Sequence, residues 1–196
     1  MKSSSGIAIL VAIACVAPIH AATPMAAGGE SHSLALHAEG TVRSWGNDAQ
    51  GQLGISTVLA SRSPVQVAGL PPIRANGQSI AGAFNHAFAI ATNGTAWGWG
   101  WNVGGALGDG TTTNRSTPVR VGSLTDVAGI AGGGQHSLAF TSNGEVWSWG
   151  VNALGALGDP GVAGRRTRPG RVAIATASAV AAGFEHSLVL DRDATV

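Results

Sequence analysis

The chain has 196 residues, 11% of them charged, with 11 Lys and Arg against 10 Asp and Glu. That balance excludes the broad positive surface of a nucleic-acid binder, and an apolar fraction of 44% excludes a disordered chain. Thirty Gly, six Trp and no Tyr suit an all-β protein with many tight turns.

The first element is a leader. Met1-Lys2 gives a positive start, Gly6 to Ala17 is apolar and uncharged, and Ile19-His20-Ala21-Ala22 closes with small residues. This pattern predicts a secretory signal peptide over residues 1–22, cleaved after Ala21 or Ala22, and a secreted or periplasmic protein. The apolar stretch is too short for a transmembrane span, which needs roughly 20 residues. Lys2 is the only lysine, so residues 23–196 are neutral. The single cysteine, Cys15, lies inside the leader, which leaves no disulfide in the remainder. Ala12-Ile13-Ala14-Cys15 also resembles a bacterial lipoprotein signal, with Ala12 where Leu is usual. The alternative it carries is a lipid anchor on Cys15.

Beyond the leader the chain repeats. Trp45-Gly46-Asn47-Asp48 leads to Gln52-Leu53-Gly54, Trp99-Gly100-Trp101-Asn102 to Ala106-Leu107-Gly108, and Trp149-Gly150-Val151-Asn152 to Ala156-Leu157-Gly158. The frame is W-G-x-(N/D)-x-x-G-x-L-G. A histidine keeps the same phase: His32, His86, His136 and His186 fall 54, 50 and 50 residues apart. Two landmarks in one phase define a repeat of about fifty residues, the length of a propeller blade.

Each repeat reads as short strands and turns. An apolar run follows each His (33–36, 87–90, 137–140, 187–190). Glu39-Gly40, Asn93-Gly94 or Asn143-Gly144 then predicts a hairpin. The run to the Trp alternates, with Trp97 and Trp99 flanking Gly98 and Trp147 and Trp149 flanking Ser148, so both indoles share a strand face. After a polar loop, Pro64, Pro118 and Pro169 are each expected to open a further strand. A last apolar run, such as 126–131 or 177–182, leads to the next His. Four short strands per repeat predict propeller blades, with repeats starting near 27, 81, 131 and 181.

These residues resemble the regulator of chromosome condensation (RCC1-like) repeat, whose pattern is roughly G-x-x-H-S-L-A-L, G-x-V-x-x-W-G and N-x-x-G-Q-L-G. The first repeat matches at Gly29, His32, Ser33, Leu34, Ala35, Leu36, Gly40, Val42, Trp45, Gly46, Gly51, Gln52, Leu53 and Gly54, with Asp48 at the Asn position. The second departs with Ala83 for Gly and Ala87-Phe88 for Ser-Leu. The third matches at Gly133, His136, Ser137, Leu138, Gly144, Val146, Trp149, Gly150, Asn152, Gly155, Leu157 and Gly158. The resemblance implies an all-β ring of seven blades. The chain holds about three full repeats and the start of a fourth, which reads as an incomplete ring or a fragment of a longer propeller. Open blade faces at its ends imply self-association.

Catalytic and metal patterns are absent from the sequence. The phased histidines His32, His86, His136 and His186 come one per repeat rather than as a close H-x₃-H pair, so a structural role is expected, each ring bonding a backbone group of its own turn. Trp45, Trp99 and Trp149 are read as structural in the same way. Gly98-Trp99-Gly100 and Gly132-Gly133-Gly134 lack the Lys-Ser/Thr of a phosphate loop, and there is no G-x-S-x-G elbow. The chain is read as a non-enzyme with no cofactor and no metal.

Two departures from symmetry are candidate partner contacts. Aromatic Phe84, Trp101 and Phe184 occupy variable slots, where exposed rings serve as interface anchors. Arg165, Arg166 and Arg168, followed by Arg171, form a basic run that suits an acidic partner. The function expected is a secreted protein-binding propeller of unknown partner. The resemblance also implies an alternative, nucleotide exchange on a small GTPase, which the leader and the neutral charge oppose. Carbohydrate binding by the aromatic loops is a further alternative.

Overall fold

A computed structural model describes residues 25–56, 59–75, 77–174 and 176–192. The signal peptide and Cys15 lie outside the described residues.

The chain folds as successive antiparallel sheets. The first blade is β1 (Met25–Gly28), β2 (His32–Leu36), β3 (Val42–Asn47) and β4 (Ala60–Gln66), paired in that order. The second is β5 (Ile80–Gly82), β6 (His86–Ile90), β7 (Ala96–Gly100) and β8 (Arg115–Arg120). The third is β9 (Val127–Gly132), β10 (His136–Thr141), β11 (Val146–Val151) and β12 (Arg165–Arg171). A fourth sheet has β13 (Ala177–Ala182) and β14 (Ser187–Asp191). These are propeller blades. Strands β1, β5, β9 and β13 pack against one another in succession and line the axis of the arc. Their sequences, MAAG, IAG, VAGIAG and ASAVAA, are dominated by small residues, as convergence on an axis demands.

The cores lie between blades. Leu34, Val42, Ile80 and Trp99 fill the first seam, Phe88, Leu107, Ile130 and Trp149 the second, and Leu138, Val146, Val172 and Val180 the third. A blade with neighbours on both sides is buried on both faces. Every residue of β6 and β10 is therefore buried, whereas β2 alternates. In β14, Leu188 and Leu190 remain exposed, although the counterparts of the first, Leu34, Phe88 and Leu138, and of the second, Leu36, Ile90 and Phe140, are buried.

The outer strands differ from expectation. Pro64, Pro118 and Pro169 do not open strands: β4, β8 and β12 begin earlier, and each proline lies inside. Each sits opposite a register shift, at Ser44/Gly46, Gly98/Gly100 and Ser148/Gly150. An outer edge strand with a bulge has no ladder bond to lose at that nitrogen.

Candidate functional site

The repeated landmarks build the seams. The indole Nε1 of Trp99 donates to the Gln52 carbonyl at 2.9 Å, and that of Trp149 to the Ala106 carbonyl at 2.7 Å. Each acceptor belongs to the preceding blade. The Leu-Gly glycine lies under the indole: a Cβ at Gly108 would sit 2.8 Å from Trp149 Nε1. Trp45 occupies the same position in the first blade and is only half-buried.

The histidines correct one expectation. The rings of His32, His136 and His186 lie against the glycine turns of their own blades, but the side-chain bonds of His86 and His136 cross to the next blade. His86 Nε2 meets Ser137 Oγ at 3.0 Å, and His136 Nε2 meets Ser187 Oγ at 3.0 Å. The two serines donate onward to the carbonyls of Ala106 at 2.9 Å and Ala156 at 2.7 Å. A serine has one hydroxyl proton, so His86 and His136 donate from Nε2 and leave Nδ1 bare. His32 has no such bond, because Ala87 stands where Ser137 and Ser187 stand. Both His32 nitrogens are buried without a partner among the described residues. Burial pushes His32 down to about 4. Burial, then the neighbouring His32 and His136, pushes His86 down to about 3, and burial lowers His136 as well.

The Asn of W-G-x-N organises the loop beyond it. Asn102 Oδ1 accepts from Leu107 N–H, and its Nδ2 reaches Asp109, Thr111 and Thr113. Asn152 does the same for Leu157 and the 159–162 loop. Asp48 keeps only the acceptor half, taking the Leu53 N–H at 2.8 Å. Burial raises its carboxyl above the usual range, against that bond. Burial also opposes the charge of Asp109, but bonds from Thr111, Arg115 and Asn102 outweigh it and hold the carboxyl low.

At the histidine end of the blades the loops bring the aromatic residues together. The slot two residues before each His holds Glu30, Phe84, Gly134 and Phe184. Backbone bonds run from blade to blade through this slot: Phe84 N–H to Gly133 O at 3.2 Å, and Gly134 N–H to Phe184 O at 3.0 Å. Across Gly134 the rings of Phe84 and Phe184 meet edge to face, 5.0 Å between centres. Trp101 lies at the same end, its N–H bonded to Asn85 O at 2.8 Å and its ring beside Gly104. Phe184, Val103 and Leu154 are 53, 54 and 85% exposed.

The arginine run does not hold together. Arg166 is tied within its blade, paired with Asp159 at 2.9 Å and bonded to Ser148 and Gly170. It is the counterpart of Arg115, which pairs with Asp109 at 2.8 Å. Arg171 pairs with Glu145 at 2.9 Å, and Arg168 lies over Gly110. Arg165 alone borders the aromatic end, reaching the Val103 carbonyl at 3.5 Å. Among the described residues no cluster of three or more His, Cys, Asp or Glu is placed to hold a metal. No helix among them is long and apolar enough to cross a membrane.

The family model of the regulator of chromosome condensation (RCC1) repeat matches residues 93–140 and 143–190. A second model of the same repeat matches 25–52 and 127–156. The chain belongs to the regulator of chromosome condensation repeat family. It is 39% identical over 95 residues to the ultraviolet-B receptor UVR8 of Arabidopsis thaliana, covering 48% of this chain and 21% of that protein. It is 37% identical over 94 residues to the probable E3 ubiquitin-protein ligase HERC3 of Homo sapiens, covering 47% and 9%. Among solved structures, Prp20p of Saccharomyces cerevisiae superposes with a TM-score of 0.75 at 28% identity, over 86% of this chain and 43% of that one. Human WBSCR16 superposes with a TM-score of 0.74 at 26% identity, over 86% and 44%. The chain thus spans less than half the length of each of these relatives.

Proposed function

We propose that this chain is a secreted, non-catalytic propeller that binds a protein partner through the end carrying Phe84, Trp101 and Phe184. The observation that carries the reading is the contact of Phe84 with Phe184 over Gly134. It joins two single aromatic departures from the repeat into one patch, at the end of the blades that also carries Trp101, Val103 and Leu154. Large rigid side chains that share an exposed patch are the usual anchors of protein interfaces. Arg165 supplies a charge at its rim, where charges steer encounter more than they set affinity.

One relative supports a protein partner. Prp20p is described with its binding to Gsp1p and histones, and it is also known bound to Kap60. Export rests on the leader of residues 1–22. The test is affinity capture from the exported fraction with the wild-type chain and with Phe84→Ala/Trp101→Ala/Phe184→Ala. A partner held by the wild type and lost by the triple variant, at equal thermal stability, supports the reading. A partner held equally by both contradicts it.

A further inference from the structure

A second feature lies at the opposite end of the third blade. The β10–β11 turn, the 122–126 linker and the start of the outer half of β12 enclose a cavity of about 420 Å³. Leu124, Trp147 and Pro169 form its apolar wall, and Asp126, Asn143, Glu145 and Arg168 supply polar groups.

The charges here are not those of the repeat. In the second blade, the positions of Asp126, Glu145 and Arg168 hold Pro72, Thr95 and Thr117. The bond and strand registers that align the blades fix these equivalences: Ser142 N–H meets Asp126 O as Thr92 N–H meets Pro72 O, and Trp147 faces Arg171 as Trp97 faces Arg120. In a chain only 11% charged, three departures from a neutral repeat converge on one cavity. Two further groups there are left over. Arg168 makes no ion pair or hydrogen bond among the described residues. Trp147 Nε1 is buried without a partner, whereas its counterpart Trp97 Nε1 bonds Thr95 Oγ1 at 3.1 Å.

We propose that this cavity is a saccharide site that takes one neutral pyranose unit of a glycan. Its charges are of both signs: Asp126, Glu145 and Arg168 line it, Arg171 pairs with Glu145, and Arg192 bonds the Ser142 carbonyl at 3.1 Å. A charged ligand would meet a like charge there as well as an unlike one. A sugar hydroxyl both donates and accepts, so carboxylates, an amide and a guanidinium can all bond it. The apolar face of a pyranose ring suits a wall of indole and proline, and a concave site with few polar groups on an apolar wall is the common form of a small-ligand pocket. The site is separate from the aromatic end, since β10 runs from His136 at that end to Thr141 at this one.

The test is a printed array of neutral gluco-, manno-, galacto- and xylo-oligosaccharides, probed with the full chain and followed by titration of the best glycan. Arg168→Ala removes an exposed cation. Asp126→Asn keeps a side chain tolerated at φ 55° while removing the charge. Each is expected to weaken binding at least tenfold with an unchanged melting temperature, and Phe184→Ala to leave it unaltered. Absence of any glycan signal, or binding by Arg168→Ala and Asp126→Asn equal to that of the wild type, would each overturn the proposal.

Discussion

Phe84 and Phe184, two blades apart, meet edge to face with 5.0 Å between ring centres and 83° between planes. Gly134 in the intervening blade makes this contact feasible. A Cβ there would lie 2.6 Å from the Phe184 carbonyl oxygen and 2.9 Å from its ring. Gly134→Ala is therefore expected to destabilise the chain by about 1–3 kcal/mol through overpacking. Urea midpoints measure it, and an unchanged midpoint would show that the slot has room.

The His-Ser-carbonyl link is present at the second and third seams and missing at the first. Ala87→Ser should supply it, joining His32 to the Gln52 carbonyl. The expected gain is about 0.5–1.5 kcal/mol, the net worth of a typical hydrogen bond. The reverse change, Ser137→Ala, leaves His86 Nε2 unpaired and should cost about 1–3 kcal/mol. The gain from Ala87→Ser should vanish in a His32→Ala background. A gain that persists there would mean that the hydroxyl acts by another route.

Phe88 and Gly98 face each other across β6 and β7, where the other blades pair Leu34 with Ser44 and Leu138 with Ser148. A Cβ at Gly98 would fall 2.7 Å from the Phe88 ring. Gly98→Ser alone should cost about 1–3 kcal/mol. Combined with Phe88→Leu, the cost should shrink, because the smaller side chain leaves space and Ser44 and Ser148 each bond a carbonyl of their own blade. A double-mutant cycle reads this coupling, and strict additivity would refute it.

Stability should fall in mild acid. His32, His86 and His136 are held neutral in the fold, while in the unfolded chain a histidine titrates near 6.5. Below pH 6.5 the unfolded chain binds protons that the folded chain refuses. The stability present above 6.5 is therefore lost as pH drops toward about 4 and then 3, by up to about 1.4 kcal/mol per pH unit per histidine. Denaturation midpoints at pH 7 and pH 5 check this, and His86→Gln should flatten the difference.

Much of the fold was legible because the repeat carries its own punctuation. W-G, L-G and the histidine phase mark turns and close approaches that only glycine permits. Gly150, for example, has φ 100°, and a Cβ on it would lie 2.4 Å from the Gln135 carbonyl. The histidine partners were not legible from spacing, because they belong to the next blade. The one available sign was the Ser that follows His32, His136 and His186 and becomes Ala after His86. The dispersal of the arginine run was not legible, because adjacency in sequence is not adjacency on a strand. Alternation sends Arg165 and Arg166 to different faces, and Asp159 takes Arg166 as Asp109 takes Arg115. Likewise, nothing local shows that Gly134 brings Phe84 and Phe184 together, since the rings come from opposite sides of a third blade.

Site-specific photo-cross-linking tests whether a protein partner covers the aromatic end of the blades. A benzoylphenylalanine placed at Phe184 or Trp101 should yield a covalent protein adduct in the exported fraction, while one at Ser123, at the opposite end, should not. Adducts at Ser123 with none at Phe184 and Trp101, or none at any of the three, would contradict the account.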